Sequence, residues 1–160
     1  MICAKCGGEI HIDAECKGCG IGYNEMIESI EHNEIKRIFV KLNDSNHHGE
    51  SYEIELSLLA CELMNSSLLF LVRELGDDKA GIVCMSGDRH KFIPLFTDIV
   101  ECEKYAGEDD LVSTGPFDVV LSLLGSDFDG FVINAKSGTH GGGITRKFLN
   151  QYFPEESDEN

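Results

Sequence analysis

Apolar residues recur at intervals of three and four toward both ends of the chain and bunch into short runs in its middle. Tyr23, Met26, Ile27 and Ile30 share one helical face. After a slip in phase at Asn33, Ile35, Ile38, Phe39 and Leu42 share another, which makes Asn33 the expected N-cap of a separate helix. DSNHHGE (44–50) reads as a loop. Ser51 then reads as the cap of a helix running to about Met64, with Ile54, Leu58, Leu59 and Cys61 facing inward.

The pattern changes at Leu68. LLFLVR (68–73) is short and almost wholly apolar, which predicts a strand buried on both faces. AGIVCM (80–85), the turn SGDR and HKFIPLF (90–96) predict a hairpin, with Pro94 placed toward a sheet edge or a bulge. Thr97 caps a short helix through about Tyr105, with Asp98 against its N-terminal dipole. GEDDLVSTG reads as a loop, and Pro116 and Gly125 bracket FDVVLSLLG as a helix. GFVIN (130–134) predicts another strand, SGTHGGG a loop, and ITRKFLNQY a last helix with Ile144, Phe148 and Tyr152 on one face. PEESDEN carries charge without apolar content and reads as a frayed tail.

These elements predict an α+β fold, a mixed central sheet of about four or five strands with helices packed on it. A chain of 160 residues has room for one domain of ordinary size and a small module. The expected division is a Cys/Gly-rich segment at 1–22, a helical connector at 23–32, the main domain at 33–152 and an acidic tail at 153–160.

The Cys/Gly-rich segment, MICAKCGGEIHIDAECKGCG, holds four of the seven cysteines as two C-x-x-C pairs nine residues apart. Zinc takes four soft ligands in a tetrahedron, and each C-x-x-C turn brings two sulfurs to one ion. Cys3, Cys6, Cys16 and Cys19 are therefore the expected ligands of a structural Zn2+, closed to substrate because no coordination position is left open; iron is the minor alternative, since thiolates bind it too. CAKCG and CKGCG resemble the two CxxCG knuckles of the short zinc-ribbon module. Twenty residues bury too little to order themselves, so metal removal is expected to unfold this segment alone. Seven cysteines, an odd number, suit a reducing compartment better than a disulfide framework.

Charge narrows the partners. Asp and Glu outnumber Lys and Arg by 29 to 13, and the field of a chain at −16 repels phosphate backbones and anionic membrane surfaces. Lys5 and Lys17 against Glu9, Asp13 and Glu15 leave the ribbon at −1, and four thiolates around a divalent cation add −2, so it lacks the basic stripe of a nucleic-acid finger. A protein partner is expected, with neither nucleic acid nor membrane. There is no apolar run of membrane-spanning length, and the first residues lack the pattern of a secretory signal, so the expected location is the cytoplasm.

HKFIPLFTDIVECEKY, then FDVVLSLLG, then GFVINAKSG, follow an order similar to the N-terminal domain of the serine-sensitivity-enhancing protein B (SseB) family. In that family a strand ending in P-V-F-T-[SD] leads into a helix, and a strand ending in I-N-P follows a later helix. Pro94, Leu95, Phe96, Thr97 and Asp98 stand at the first motif, Ile133 and Asn134 at the second, with Ala135 in place of the proline. The resemblance spans roughly 33–152. It implies an α+β domain without established catalytic activity, and hence a binding or adaptor role.

Two readings stand for the motif residues. In one, Phe96 is core, Thr97 a helix cap and Asn134 a turn former. In the other, Pro94, Phe96, Asp98 and Asn134 form a contact for a partner protein. SGTHGGGITRK raises a function of another class: an anion- or nucleotide-handling enzyme using the Gly-rich loop 137–143, with Gly141, Gly142 and Arg146 at a helix start, although the order of a P-loop or dinucleotide fold is missing. Cys61, Cys84 and Cys102 read as small buried apolar residues, the six histidines and the pairs Asp77/Asp78 and Asp109/Asp110 as solvated, and no catalytic residue is assigned.

Overall fold

The computed structural model describes residues 1–44, 49–87 and 89–155 and shows an α+β fold. Helices α1 (Tyr23–Ser29), α2 (Asn33–Leu42) and α3 (Glu50–Met64) precede strand β1 (Ser67–Gly76). Then come β2 (Lys79–Ile82), β3 (Met85–Ser86), β4 (Lys91–Leu95), α4 (Ile99–Glu103), β5 (Leu111–Pro116) and α5 (Phe117–Ser122). Strands β6 (Gly130–Ile133) and β7 (Gly142–Thr145) and helix α6 (Arg146–Tyr152) complete the order.

The strands form two ladders, β2-β1-β5 and β3-β4-β6-β7, antiparallel throughout except for β4 with β6. The ladders meet where Phe96, one residue past β4, exchanges both backbone hydrogen bonds with Leu69 of β1, at 2.8 and 3.0 Å. Pro94 is buried where β4 changes partners. Leu95 turns its carbonyl toward Asn134 beyond β6, so by alternation Pro94 faces the other edge, past the end of β3, and its missing N–H costs no ladder bond.

Strand β1 is apolar on both faces because both are covered. Leu68 and Phe70 point into a core shared with Ile35, Phe39, Leu63, Phe117, Phe131 and Phe148. Leu69 and Leu71, on the alternate positions, point into a second core made by Cys3, Ile10, Cys16 and Ile21 of the N-terminal segment, by Met26 and Ile27 of α1, and by Phe96 and Cys102. Residues 1–22 thus supply four of the twelve buried residues of this second core and pack against β1.

Some expectations are corrected. On α3 the inward residues are Glu55, Leu59, Ala60 and Leu63, whereas Ile54, Leu58 and Cys61 are exposed. The helix is apolar on several sides, so spacing alone did not select the face that docks. Thr97 is not the α4 cap: Asp98 is, accepting from the Glu101 N–H at 3.0 Å. His32 precedes α2 in place of Asn33, which is its first residue, and α3 begins at Glu50, before Ser51. The expected hairpin splits, since residues 79–82 pair with β1 across a turn in which Asp77 and Asp78 both take positive φ, and only Met85–Ser86 pairs with β4.

GEDDLVSTG contains β5. Its polar residues hide the strand, but they are satisfied: Thr114 Oγ1 donates to the Leu68 carbonyl, and the Tyr23 hydroxyl of α1 donates to the Val112 carbonyl. SGTHGGG contains a 3-10 turn, Gly138–His140, and the start of β7, so α6 begins at Arg146. Gly141 lies so close to β6 that a Cβ there would sit 2.0 Å from the Ile133 carbonyl oxygen. His47 and His48, much of the loop at 44–50, Asp88 of the SGDR turn and residues 156–160 of the tail lie outside the described residues.

Substitutions on α3 test its docking face. Leu59→Ala is expected to cost about 2–5 kcal/mol in urea unfolding, and Leu58→Ala less than about 0.5 kcal/mol.

Candidate metal centre

Two knuckles of the same design build the site. The Cys3 N–H donates to Gly8 O at 2.7 Å and Gly7 N–H to Cys3 O at 2.9 Å; the Cys16 N–H donates to Ile21 O at 2.8 Å and Gly20 N–H to Cys16 O at 2.9 Å. Gly7 and Gly20 both have φ +77°, the left-handed angle each turn requires. Glu9 O accepts from Lys17 N–H at 3.0 Å, which holds the knuckles face to face. The Ala4 N–H donates to Met26 Sδ at 3.3 Å and ties the first knuckle to α1.

This arrangement brings all four predicted sulfurs together. Cys3, Cys6, Cys16 and Cys19 offer Sγ atoms that all lie within 4.8 Å of one another, with Cys3–Cys19 at 3.9 Å and Cys6–Cys16 at 3.4 Å. A tetrahedral ion with metal–sulfur bonds of about 2.3 Å needs sulfurs about 3.8 Å apart. The four residues can therefore hold a metal ion. Gly18 has no Cβ for the same reason: one there would lie 2.9 Å from Cys6 Sγ.

As free thiols the inner pair titrates far apart. The N–H groups of Cys19 and Gly18 lower Cys16 to about 6 against the effect of burial. At Cys6 the Gly8 N–H also lowers the pKa, but the hydrogen bond shared with Cys16, burial and the contacts with Cys19 and Cys3 outweigh it and raise the thiol to about 11. Cys16 thus offers a cation an anionic donor at neutral pH.

Asp98 and Asn134 also come together, but inside the protein. Asn134, at φ +51°, accepts from the Thr97 N–H at 3.1 Å and donates to Thr97 Oγ1 at 3.0 Å and to the His140 carbonyl at 3.1 Å. Thr97 Oγ1 donates to Asp98 Oδ2 at 3.1 Å, and Lys36 Nζ lies 2.5 Å from that oxygen. Burial would raise the Asp98 pKa, but Lys36, the Glu101 N–H and Thr97 hold it below the ordinary aspartate value. Asn134 and Phe96 are 2% and 0% exposed, and Pro94 and Asp98 are buried, so this expected contact presents no surface to a partner. Sequence reasoning missed Lys36 and Asn43, whose amide donates to the carbonyls of Thr139 and Gly141 at 3.0 Å each, because both reach across long stretches of chain.

The Gly-rich alternative is equally committed. Arg146 donates to the carbonyls of Phe128 and Gly125, at 2.9 and 2.5 Å, and so points at the loop after α5 and away from Gly141 and Gly142. Cys102 is buried, and that burial raises its thiol to about 12; Cys84 is half-buried and Cys61 exposed. Asp110 is not solvated, since it accepts from the Gly107 N–H and from Arg73, and these bonds lower its pKa against burial. His32 is a strut, its Nε2 lying 2.6 Å from the Ser67 carbonyl oxygen. No helix among the described residues is long and apolar enough to cross a membrane. No family model, curated protein or solved structure matches the chain.

The lowered pKa of Asp98 sets a pH dependence. Its charged form stabilises the fold fully above the ordinary carboxylate value of about 3.9, and that contribution is lost as pH falls through the lower folded value. In denaturant titrations Asp98→Asn is expected to be less stable than wild type by about 1.5–3 kcal/mol at pH 6, with the difference shrinking below about pH 4.

Proposed function

We propose that the chain is a non-catalytic binding protein whose structural Zn2+ folds residues 1–22 into the second core, and that it recognises another protein in the cytoplasm. The observation that carries this reading is the closed donor set. Four thiols converge, and among the described residues no other His, Cys, Asp or Glu joins the group, so a bound ion would have its coordination filled by protein. Such a site holds structure and does not activate water. The resemblance to the SseB N-terminal domain, a family without established catalytic activity, supports the same role. So does the internal use of the polar groups at the strand ends, which leaves the fold's best candidates for chemistry hydrogen-bonded to one another.

Metal analysis and affinity purification test this. Purified protein is expected to carry one zinc per chain, and a tagged wild-type chain to capture a protein partner that Cys16→Ser captures poorly. A folded chain without metal, or capture unaffected by Cys16→Ser, would contradict the reading.

A further inference from the structure

We propose that the cleft between the ribbon tip, α1, α4 and β5 is the docking site for a basic segment of a partner protein, one in which Lys or Arg alternates with apolar residues. The proposal deepens the protein-recognition reading above and rests on it. The cleft encloses about 250 Å3. Its floor is apolar, with Ile27 buried beneath it, and its lips carry two large side chains left in water, Ile12 at 43% and Leu111 at 41% exposure. Asp13, Glu28 and Glu103 line it, and no Lys or Arg does.

Leu111 also borders a neighbouring cleft lined by Arg73, Glu74, Glu108 and Asp109. Arg73 is already paired with Asp110, at 2.9 and 2.7 Å. Of the seven carboxylates that line the two adjoining clefts, Asp110 is the one Arg73 holds, and the other six, Asp13, Glu28, Glu74, Glu103, Glu108 and Asp109, have no ion pair among the described residues.

The occupant follows from this arrangement. The carboxylates do not converge: the only group of three or more ligating side chains among the described residues is the cysteine set, so these clefts suit an extended cation and not a single metal ion. Nucleic acid and a second copy of this acidic chain are both repelled. An apolar floor between acidic lips matches a segment that buries aliphatic side chains and aliphatic Lys or Arg stems while its charges meet the rim. Because Ile12 and Asp13 belong to the metal-bearing segment, one wall of the cleft depends on the metal site.

The test is an NMR titration of the metal-loaded full chain at low salt with a hexapeptide of alternating arginine and leucine. Glu28→Lys/Glu103→Lys reverses exposed charge in the cleft, and Glu53→Lys/Asp127→Lys makes the same change of charge elsewhere on the surface. Shifts are expected at the cleft amides, with similar affinity for wild type and the distant variant and at least tenfold weaker binding to the cleft variant. Equal weakening in both variants, shifts away from the cleft, or equal response to Mg2+ or to a glutamate–leucine hexapeptide would overturn the proposal. A cellular partner captured equally well by the cleft variant would also overturn it while leaving protein recognition standing. Wild type that captures no protein would instead count against the broader reading.

Discussion

The architecture depends on one constraint, that β1 is apolar on both faces. A strand carrying Leu68 and Phe70 on one side and Leu69 and Leu71 on the other needs two covering layers, since each such side chain left in water forgoes about 1.5–3 kcal/mol. Helices α2, α3, α5 and α6 supply the first layer. The second is thin: two knuckles, the short α1 and the five-residue α4. Twenty residues with few apolar side chains bury little by themselves, and a metal ion held by the four cysteines, as proposed, would stiffen the layer. The N-terminal segment and the sheet therefore complete each other, since the sheet gives Ile10 and Met26 a surface to bury against and the segment with α1 keeps Leu69 and Leu71 dry.

Where the two ladders join, hydrogen bonding takes over from packing. Phe96 leaves β4 to pair with Leu69, and the next two residues, Thr97 and Asp98, connect Asn134 after β6, Lys36 on α2 and the start of α4. The result is a buried cluster in which a carboxylate is answered by an ammonium and two further donors. The strained backbone of Asn134 is held by its own side chain, which bonds both Thr97 and the loop carbonyl of His140. The sequence motif at 94–98 is explained by this internal junction without any need for an outside partner.

Part of this was legible in the sequence. Spacing identified α1, α2 and their inward residues because each has a single apolar face, and the C-x-x-C pairs identified the four cysteines whose sulfurs come together and could hold a metal ion. It failed where local pattern carries little information. Strands β5 and β7 contain Ser, Thr and Gly whose suitability depends on neighbours distant in the chain: Leu68 for Thr114, and Phe39 for Gly142. Helix α3 has apolar residues on both its faces, so the docking side is chosen by its neighbours. That Asp98 and Asn134 turn inward rests on the tertiary pairing of Lys36 with Asp98, which no spacing rule reveals.

The central claim is that the metal centre and the sheet fold as one unit. Hydrogen exchange on the full chain, metal-loaded and after chelation, tests it most directly. The account predicts that chelation removes protection throughout residues 1–30 and also at Leu69, Leu71, Phe96 and Cys102, while Ile35, Phe131 and Phe148 in the other core stay the more protected. Unchanged protection at Leu69, Leu71 and Phe96 after loss of the metal would contradict it.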